Sequence, residues 1–323
     1  MSTTTTTFTR VHPTISLVGA QSESLKVVRT KTVTESIADF FDIAWSFIKD
    51  DVPAFVVPSS LFGILGSLAS GTPFSNGPAP NLSDLIVRIP LVFFFNLANI
   101  LIWDLSNQRA PESAEEDRIN KPWRPIPAGK ITSNQTRQAV LIALPLVLVF
   151  NYALGVHVDG LLLLTLCWYY NDLKGSDEAC RDVIIAVCYT LCNKISLQIA
   201  IGTHNTITHQ GYLWIGTIAL VALSTMHTQD LKDQEGDRLR DRATIPLIVG
   251  DAPARAILVV LLPIWSIFCG FYWGKGNYWA SVPLSLVLAR RLWMQRTPKD
   301  DSKSWKLWCL WHMTLFSLPL LAW

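Results

Sequence analysis

Charge is scarce in this chain: only 16% of its 323 residues are Asp, Glu, Lys or Arg, whereas 50% are hydrophobic. Soluble domains of ordinary composition carry about 25% charged residues. The formal net charge is +2, and no basic stripe with interleaved aromatic residues occurs, which argues against nucleic-acid binding. The composition predicts an all-α integral membrane protein, and 13 tryptophans suit interfacial belts in the bilayer.

Metal-binding and secretory patterns are also missing. The six cysteines form no C-x-x-C pair, so neither a zinc site nor a disulfide framework is indicated. Cys188 and Cys192 lie one helical turn apart without clustered His or carboxylate residues, and we interpret them as packing residues. The N-terminus lacks the apolar core of a signal peptide. We therefore predict a disordered cytosolic tail over residues 1–36 and a transmembrane domain over residues 37–323.

Long apolar runs dominate the rest of the chain. A helix needs about 20 apolar residues to cross a bilayer. Candidate spans lie near 53–71, 85–106, 138–155, 159–172, 182–202, 210–229, 254–273, 276–292 and 306–322. Before them, Ile37, Phe40, Phe41, Ala44 and Ile48 share one face of a predicted interfacial helix.

The positive-inside rule tests this count. With a cytosolic N-terminus, the inside loops 107–137, 173–181, 230–253 and 293–305 carry six, two, four and three Lys or Arg residues. The outside loops carry only Lys275. This asymmetry predicts a bundle of about nine transmembrane helices, with a central cavity that opens to the cytosolic face.

Three acids follow the sixth span. Asp230, Asp233 and Asp237 have spacings of three and four, so on a helix they share one face. Carboxylates that close repel one another unless a cation lies between them, and Mg²⁺ prefers one or two carboxylates plus phosphate oxygens. A solvated helix end is an equal alternative for this motif alone, with its acids neutralised by Lys232, Arg238, Arg240 and Arg242.

A second polar cluster interrupts the second span. Asn96, Asn99, Asp104, Asn107 and Gln108 fall within about half of the helical circumference. A charged residue in the bilayer costs about 3 kcal/mol on insertion scales, so these side chains are expected to face a cavity or a partner. The alternative is that Asp104 is a snorkelling residue at the helix end.

The loop after this span adds acidic and basic groups. Glu115, Glu116 and Asp117 precede Lys121 and Arg124. The "RPIP" segment holds Arg124 in a rigid turn, and an arginine fixed in this way suits phosphate binding. Two acid clusters with basic residues between them predict a binding site for a magnesium diphosphate. The apolar bundle would hold a hydrocarbon tail, as in a prenyl diphosphate.

Two segments resemble the UbiA superfamily of intramembrane prenyltransferases: "DRINKPWRPIPAGKIT" at 117–132 and "QDLKDQEGDRLRDRATIPLIVG" at 229–250. The resemblance covers the chain from about residue 38 to the C-terminus. It implies a UbiA-like catalytic domain in which Mg²⁺ binds the diphosphate, and loss of diphosphate leaves an allylic carbocation. The first motif departs from the family pattern N-D-x-x-D-x-x-x-D, because Ser113 lies four residues before Asp117.

The variant "DLSNQ" at 104–108 resembles fungal UbiA-type proteins, a group that includes terpene cyclases. We therefore expect a cyclase that uses a farnesyl or geranylgeranyl diphosphate, in the endoplasmic reticulum membrane, with its active-site loops cytosolic. Transfer of the prenyl group to an aromatic or other acceptor is the alternative. A transporter is disfavoured, since repeated halves and midplane breaks are not found.

The expected site residues fall into three groups. Asp104, Asp117, Asp230, Asp233 and Asp237 are the expected catalytic and metal-binding acids. Diphosphate binding is assigned to Lys121, Arg124, Lys174, Lys232 and Arg238. The substrate pocket is assigned to Asn99, Asn107, Gln108, Tyr170, Asn171, Tyr189 and Asn193. A helix cap at Asn171, and a hydrogen bond from Asn193 to a neighbouring helix, are the alternatives for those two residues.

Overall fold

The computed structural model describes residues 33–69, 73–274 and 281–321. The predicted N-terminal tail lies outside the described residues as far as residue 32, and the first helix begins at Val33. No β-strand occurs within the described ranges, and Ser75 and Ile207 form an isolated bridge. The residues from Phe40 onward form one compact unit, and those before it are assigned to another.

The described helices follow the predicted apolar runs. They are α1 (Val33–Ile48), α2 (Val57–Leu68), α3 (Leu82–Gln108), α4 (Pro111–Asn120), α5 (Ser133–Ala153), α6 (His157–Asn171), α7 (Arg181–Ile201), α8 (His209–Thr225), α9 (Gln234–Leu239), α10 (Ile245–Val249), α11 (Asp251–Tyr272), α12 (Val282–Met294) and α13 (Pro298–Leu321). A π-helical segment, Val52–Val56, precedes α2, and a 3₁₀ segment, Met226–Lys232, follows α8.

Four of these helices are long and apolar enough to cross a membrane: α3, α5, α7 and α11. A fifth span results if Ala38–Ile48 and Val52–Leu68, which meet at 61°, are counted together. Most of the described part of each of the nine predicted runs is helical, with end residues such as Ala69, Leu154 and Gly202 outside the helices, but the count of nine spans and the cytosolic orientation remain predictions.

Helix α7 lies in the centre of the bundle, whereas α5 lies at its edge. In the most apolar window of each helix, 72% of α7 but only 17% of α5 is buried. Exposed apolar side chains on α5, such as Leu146 and Val149, face outward as lipid-facing residues do. On α1, Phe40 and Phe41 are exposed in the same way, which agrees with the predicted interfacial helix.

A close approach of α2 to α7 sets the width of the bundle next to the site. A Cβ atom added at Gly63 would lie 2.4 Å from the carbonyl carbon of Ser196, so only glycine fits there. Small residues at helix contacts are typical of membrane bundles. Ser196 also accepts a hydrogen bond from Asn96 on α3 at 2.9 Å. The three helices are therefore held together beside the same polar cluster.

Candidate active site

One large cavity lies between the helices, with a volume of about 700 Å³. Its charged lining comes from helix ends and loops, including Asp51, Asp104, Arg181 and Asp230. Its apolar lining comes from helix interiors: Phe55, Val56, Ile100, Trp103, Leu163, Leu164, Tyr170, Ile185 and Tyr189. The cavity therefore joins an ionic region to an apolar one.

The acids at 230, 233 and 237 all line this cavity, but the prediction that they share one helix face is wrong. The 3₁₀ segment ends at Lys232, and α9 begins at Gln234. The Asn120 side chain bridges the break: it donates to the Asp233 carbonyl at 3.0 Å and accepts from the Gly236 amide at 3.2 Å. The Asp233 carbonyl also accepts from the Asp237 amide at 3.0 Å, so Asn120 adds to the first turn of α9.

Asp233 lies between two lysines. It forms a close ion pair with Lys232, and its Oδ2 lies 3.7 Å from Lys121 Nζ. Burial alone would raise the pKa of Asp233, but the two lysines outweigh it and lower the pKa to about 2. Asp233 is therefore ionised at neutral pH.

Asp230 and Asp237 differ in how completely they are paired. Asp230 accepts a two-pronged interaction from Arg181, at 2.8 and 3.0 Å. Asp237 lies 3.6 Å from Arg242, and its Oδ2 is buried without a hydrogen-bond partner. Burial and the nearby Asp230 carboxylate raise the pKa of Asp237 to about 7. A further cation beside Asp237 would stabilise its ionised form.

The altered first motif is built around Arg124. Its Nη1 donates to both Asp117 oxygens, at 3.1 and 3.0 Å, and its Nη2 lies 3.6 Å from Asp51. Asp51 in turn lies within hydrogen-bond reach of Asp104. Asp104 is 2% exposed, and its Oδ2 has no hydrogen-bond partner. Asp117 is not part of the cavity lining, so the structure places it behind Arg124 rather than in the cavity.

Most of the predicted pocket residues line the cavity, but one lies behind its wall. Asn99 and Asn107 line the cavity; Asn99 exchanges two hydrogen bonds with Asn151, at 3.1 and 3.2 Å. Asn107 donates to Asn171 at 3.0 Å, which places Asn171 one layer behind the wall. Tyr170 and Tyr189 line the cavity as well.

Four other predicted residues are not brought to the cavity. Gln108 donates to the Phe47 carbonyl at 3.0 Å, and Asn193 is buried outside the lining with neither side-chain atom paired. Lys174 is exposed and pairs with Glu112 at 2.8 Å. Arg238 lines a separate surface depression. Lys174 and Arg238 therefore lie outside the cavity in this structure and do not make the predicted diphosphate contact.

Several lining residues were not predicted from the sequence: Asp50, Asp51, Glu116, Asn120, Arg181, Arg242, Lys299, Lys303 and Lys306. Three of them, Lys299, Lys303 and Lys306, recur at helical spacing near the start of α13 and are exposed. That spacing was the available sequence signal. Asp51 carried a signal too, since it falls where the interfacial helix ends and the first span begins.

The acids that line the cavity suit Mg²⁺ only when other ligands complete its coordination. Among the described residues, no group of three or more His, Cys, Asp or Glu side chains is arranged to hold a metal ion unaided. However, Asp104 and Asp237 both line the cavity, and each has one buried carboxylate oxygen without a hydrogen-bond partner. Mg²⁺ takes one or two carboxylates and completes its octahedron with phosphate oxygens and water. The residues therefore fit Mg²⁺ that binds together with a diphosphate.

Comparison with known proteins decides the family. Residues 64–318 match the UbiA prenyltransferase family. The chain belongs to this family. It is therefore a membrane enzyme of the prenyl-diphosphate-using class of terpene cyclases and prenyltransferases.

Relatives of both kinds are found among fungal proteins. The chain is 30% identical to the polyprenyl transferase eriF of Hericium erinaceus over 242 residues, 71% of this chain and 76% of that protein. It is 28% identical to the diterpene cyclase eriG of the same fungus over 240 residues, 70% of each chain. Among solved structures, a UbiA homologue from Archaeoglobus fulgidus bound to GPP and Mg²⁺ shares the fold. Its TM-score is 0.58 at 13% identity, over 85% of this chain and 99% of that one.

Proposed function

We propose that this UbiA-family chain is a Mg²⁺-dependent enzyme that ionises a prenyl diphosphate and cyclises the resulting carbocation to a terpene. The observation that carries the proposal is the single cavity that joins the ionic region to an apolar region with aromatic walls. A diphosphate needs the first region and an isoprenoid chain needs the second. The cavity volume of about 700 Å³ lies within the range of about 300–1,000 Å³ typical of small-molecule sites.

The head group would bind at the ionic region. Lys121, Arg124 and Lys232 neutralise the diphosphate, and Arg181 and Arg242 reach the same wall. The lysines supply point charges, whereas the guanidinium groups can hold two phosphate oxygens at once. Stabilising negative charge on the leaving group lowers the barrier to breaking the C–O bond.

Acids that line the same cavity would hold Mg²⁺. We assign this role to Asp104 and Asp237, which line the cavity and each have one buried, unpaired carboxylate oxygen, supported by Asp230, Asp233 and Asp51. Bound Mg²⁺ would supply Lewis-acid stabilisation of the departing diphosphate. In this assignment Asp51 replaces the acid that is missing from the first motif, and Asp117 positions Arg124.

The apolar region would fold the chain and shield the cation. Trp103 and Tyr170 lie with ring centroids 5.0 Å apart, and Phe55 contacts Tyr189 at 5.9 Å. Aromatic faces attract a cation, and a dry wall prevents early quenching by water. The substrate is of the farnesyl or geranylgeranyl class, and the enzyme acts in the endoplasmic reticulum membrane with its cavity toward the cytosol.

Transfer of the prenyl group to an aromatic or other acceptor is the second candidate. The similarity to the polyprenyl transferase eriF favours it. The same ionic region would serve both reactions, because each begins with loss of diphosphate. They differ in whether the cation reacts with a double bond of its own chain or with a second molecule.

The deciding experiment supplies no acceptor. Purified protein in lipid is incubated with Mg²⁺ and farnesyl or geranylgeranyl diphosphate, and released diphosphate and organic products are measured. We expect a terpene hydrocarbon or alcohol with a ring system. Turnover that appears only after an acceptor is added would overturn cyclisation and support transfer.

Matched variants test the site in the same assay. Asp233→Ala and Asp237→Ala are expected to lower diphosphate release by roughly 10²–10³-fold, since each removes charge stabilisation in the transition state. Asp159→Asn serves as control, because Asp159 pairs with Lys194 at the other end of α6 and is not in the lining. Full turnover by both alanine variants would refute the assignment.

A further inference from the structure

A buried Tyr–His pair lies at the apolar wall of the cavity. Tyr189 lines the cavity from α7 and is 1% exposed. Its hydroxyl lies 3.2 Å from Nδ1 of His312 on α13, which is 0% exposed. No role in diphosphate binding is available to this pair, since its neighbours are aromatic or apolar residues.

Aromatic rings pack against the His312 imidazole. Trp308 stacks on the imidazole at 4.7 Å and 25°, and Phe316 meets it at 4.8 Å. Aromatic faces stabilise an imidazolium through their quadrupoles. Among the described residues, Nε2 has no hydrogen-bond partner. A histidine kept only for packing would leave that polar atom unsatisfied at a cost.

Other groups in the apolar part of the wall are weaker candidates for accepting a proton. Asn96 and Asn99 are amides, and Cys188 and Cys192 are thiols. The carboxylates lie in the ionic region, where Arg181 pairs with Asp230 and Lys232 with Asp233, and the proposed function assigns Asp104 and Asp237 to Mg²⁺. Tyr189 is therefore a lining residue whose hydroxyl contacts a basic nitrogen.

We infer that Tyr189 and His312 form a proton relay that ends the reaction, an inference that rests on the proposed function. A C–H bond next to the cationic carbon breaks, and its electron pair forms a C=C bond. The proton goes to the Tyr189 oxygen while the hydroxyl proton passes to Nδ1 of His312, whose own hydrogen is on Nε2. The imidazolium later loses its proton to water that enters after product release.

The same relay serves each ending of the proposed reaction. In transfer to an aromatic ring, the acceptor carbon loses the proton. If water captures the cation, the oxonium loses it. Tyr189 would thus be a catalytic residue that touches substrate, and His312 a positioning and proton-accepting residue behind it.

The test uses product distribution rather than rate alone. Tyr189→Phe keeps the ring and removes the hydroxyl, and His312→Asn keeps a polar atom near the Nδ1 position but cannot take up a proton. We expect proton abstraction to slow by roughly 10²-fold or more, so that isomeric alkenes and alcohols replace the main product. Diphosphate release should continue, because ionisation precedes the relay.

Tyr152→Phe is the matched control. Tyr152 also contacts a histidine, His157, with ring centroids 5.3 Å apart, but it is 71% exposed and outside the cavity lining. We expect wild-type products from this variant. The double variant Tyr189→Phe/His312→Asn should give the product pattern of either single variant, since both remove one relay.

Three outcomes would overturn the relay. Wild-type product distributions from both single variants would show that another group, such as the departing diphosphate, takes the proton. A changed distribution in Tyr189→Phe with a normal one in His312→Asn would show that the imidazole accepts no proton. Loss of diphosphate release in either variant, with folding retained, would place the pair in ionisation instead. If the wild-type protein itself released no diphosphate, the proposed function would fail.

Discussion

Asp51 and Asp104 bring two carboxyl groups within hydrogen-bond reach of each other at the wall of the cavity. Arg124 lies 3.6 Å from Asp51 and balances part of this charge. Two carboxylates at this distance repel each other unless a cation is shared between them. At the residue scale, this pair is the substitute that we propose for the missing part of the first motif.

Replacing either acid should weaken metal binding. For Asp51→Asn and Asp104→Asn we expect the Mg²⁺ concentration for half-maximal diphosphate release to rise about 10–100-fold, the range seen when residues that support a metal are removed. Binding of Mn²⁺ in the presence of diphosphate gives a readout independent of turnover. Asp84→Asn, at the opposite end of α3, is the control. An unchanged metal requirement in both variants would contradict the assignment.

Single residues were predictable where a local pattern carried the signal. Asp104, Asp230, Asp233, Asp237, Lys121, Arg124 and Lys232 were predicted from spacing or motif, and each lines the cavity. Arg181 was seen only as one charge in a cytosolic loop. Its interaction with Asp230 joins residues 49 positions apart, and such a contact leaves no local pattern. Gln108 was placed in the pocket by helical periodicity, which does not show that its amide contacts Phe47.

At the element scale, the link between α4 and α9 joins the two acid-bearing segments. A Cβ atom at Gly236 would lie 2.3 Å from Nδ2 of Asn120. The close approach allows Asn120 to hold both the Asp233 carbonyl and the Gly236 amide. A glycine and one amide side chain therefore help to set the spacing between α4 and α9, together with the hydrogen bonds from Arg240 to Ser113 and Glu116.

Gly236→Ala should separate these segments. The methyl group displaces Asn120, and the loss of two hydrogen bonds of about 1 kcal/mol each should raise KM for the prenyl diphosphate about tenfold or more. Gly216→Ala is the control, since a Cβ at that position of α8 meets no atom within 4 Å. Gly236→Ala/Asn120→Ala should be no worse than the single variant. A normal KM in Gly236→Ala would show that the link does not position the acids.

Helices themselves were predictable from apolar runs, because burial in lipid or protein demands them. The 3₁₀ segment before Asp233 was not predictable from such a run. The hydrogen bond where this segment meets α9 joins Asn120 to Asp233, 113 positions apart, and leaves no local pattern. Spacing along the sequence therefore predicted which acids are close together but assigned them the wrong local structure.

At the scale of the whole molecule, segments far apart in the sequence lie around one cavity. The cavity is lined by residues from Asp50 near α1 to Lys306 on α13. Ligand bound there should therefore stabilise the whole bundle rather than one segment.

Thermal unfolding tests this. Mg²⁺ together with inorganic diphosphate should raise Tm of the protein in lipid, by the equivalent of about 2.7 kcal/mol when free ligand exceeds its Kd a hundredfold. Mg²⁺ alone and diphosphate alone should each raise Tm much less. Without phosphate oxygens, the described residues offer Mg²⁺ no group of three His, Cys, Asp or Glu ligands. Mg²⁺ with sulfate is the control. An equal shift in Asp237→Ala would place the binding elsewhere.

The pairing of charges at the cavity has a consequence for turnover. Eight basic and seven acidic side chains line it among the described residues, and Arg181, Lys232 and Arg124 each already have a carboxylate partner. In the protein without ligand, these carboxylates thus occupy the cations that the substrate diphosphate would bind. Under the proposed function, capture would be an exchange of counterions, in which the diphosphate displaces carboxylates that are then available to hold Mg²⁺. Departure of the diphosphate would reverse the exchange, so the same acids would help to release it.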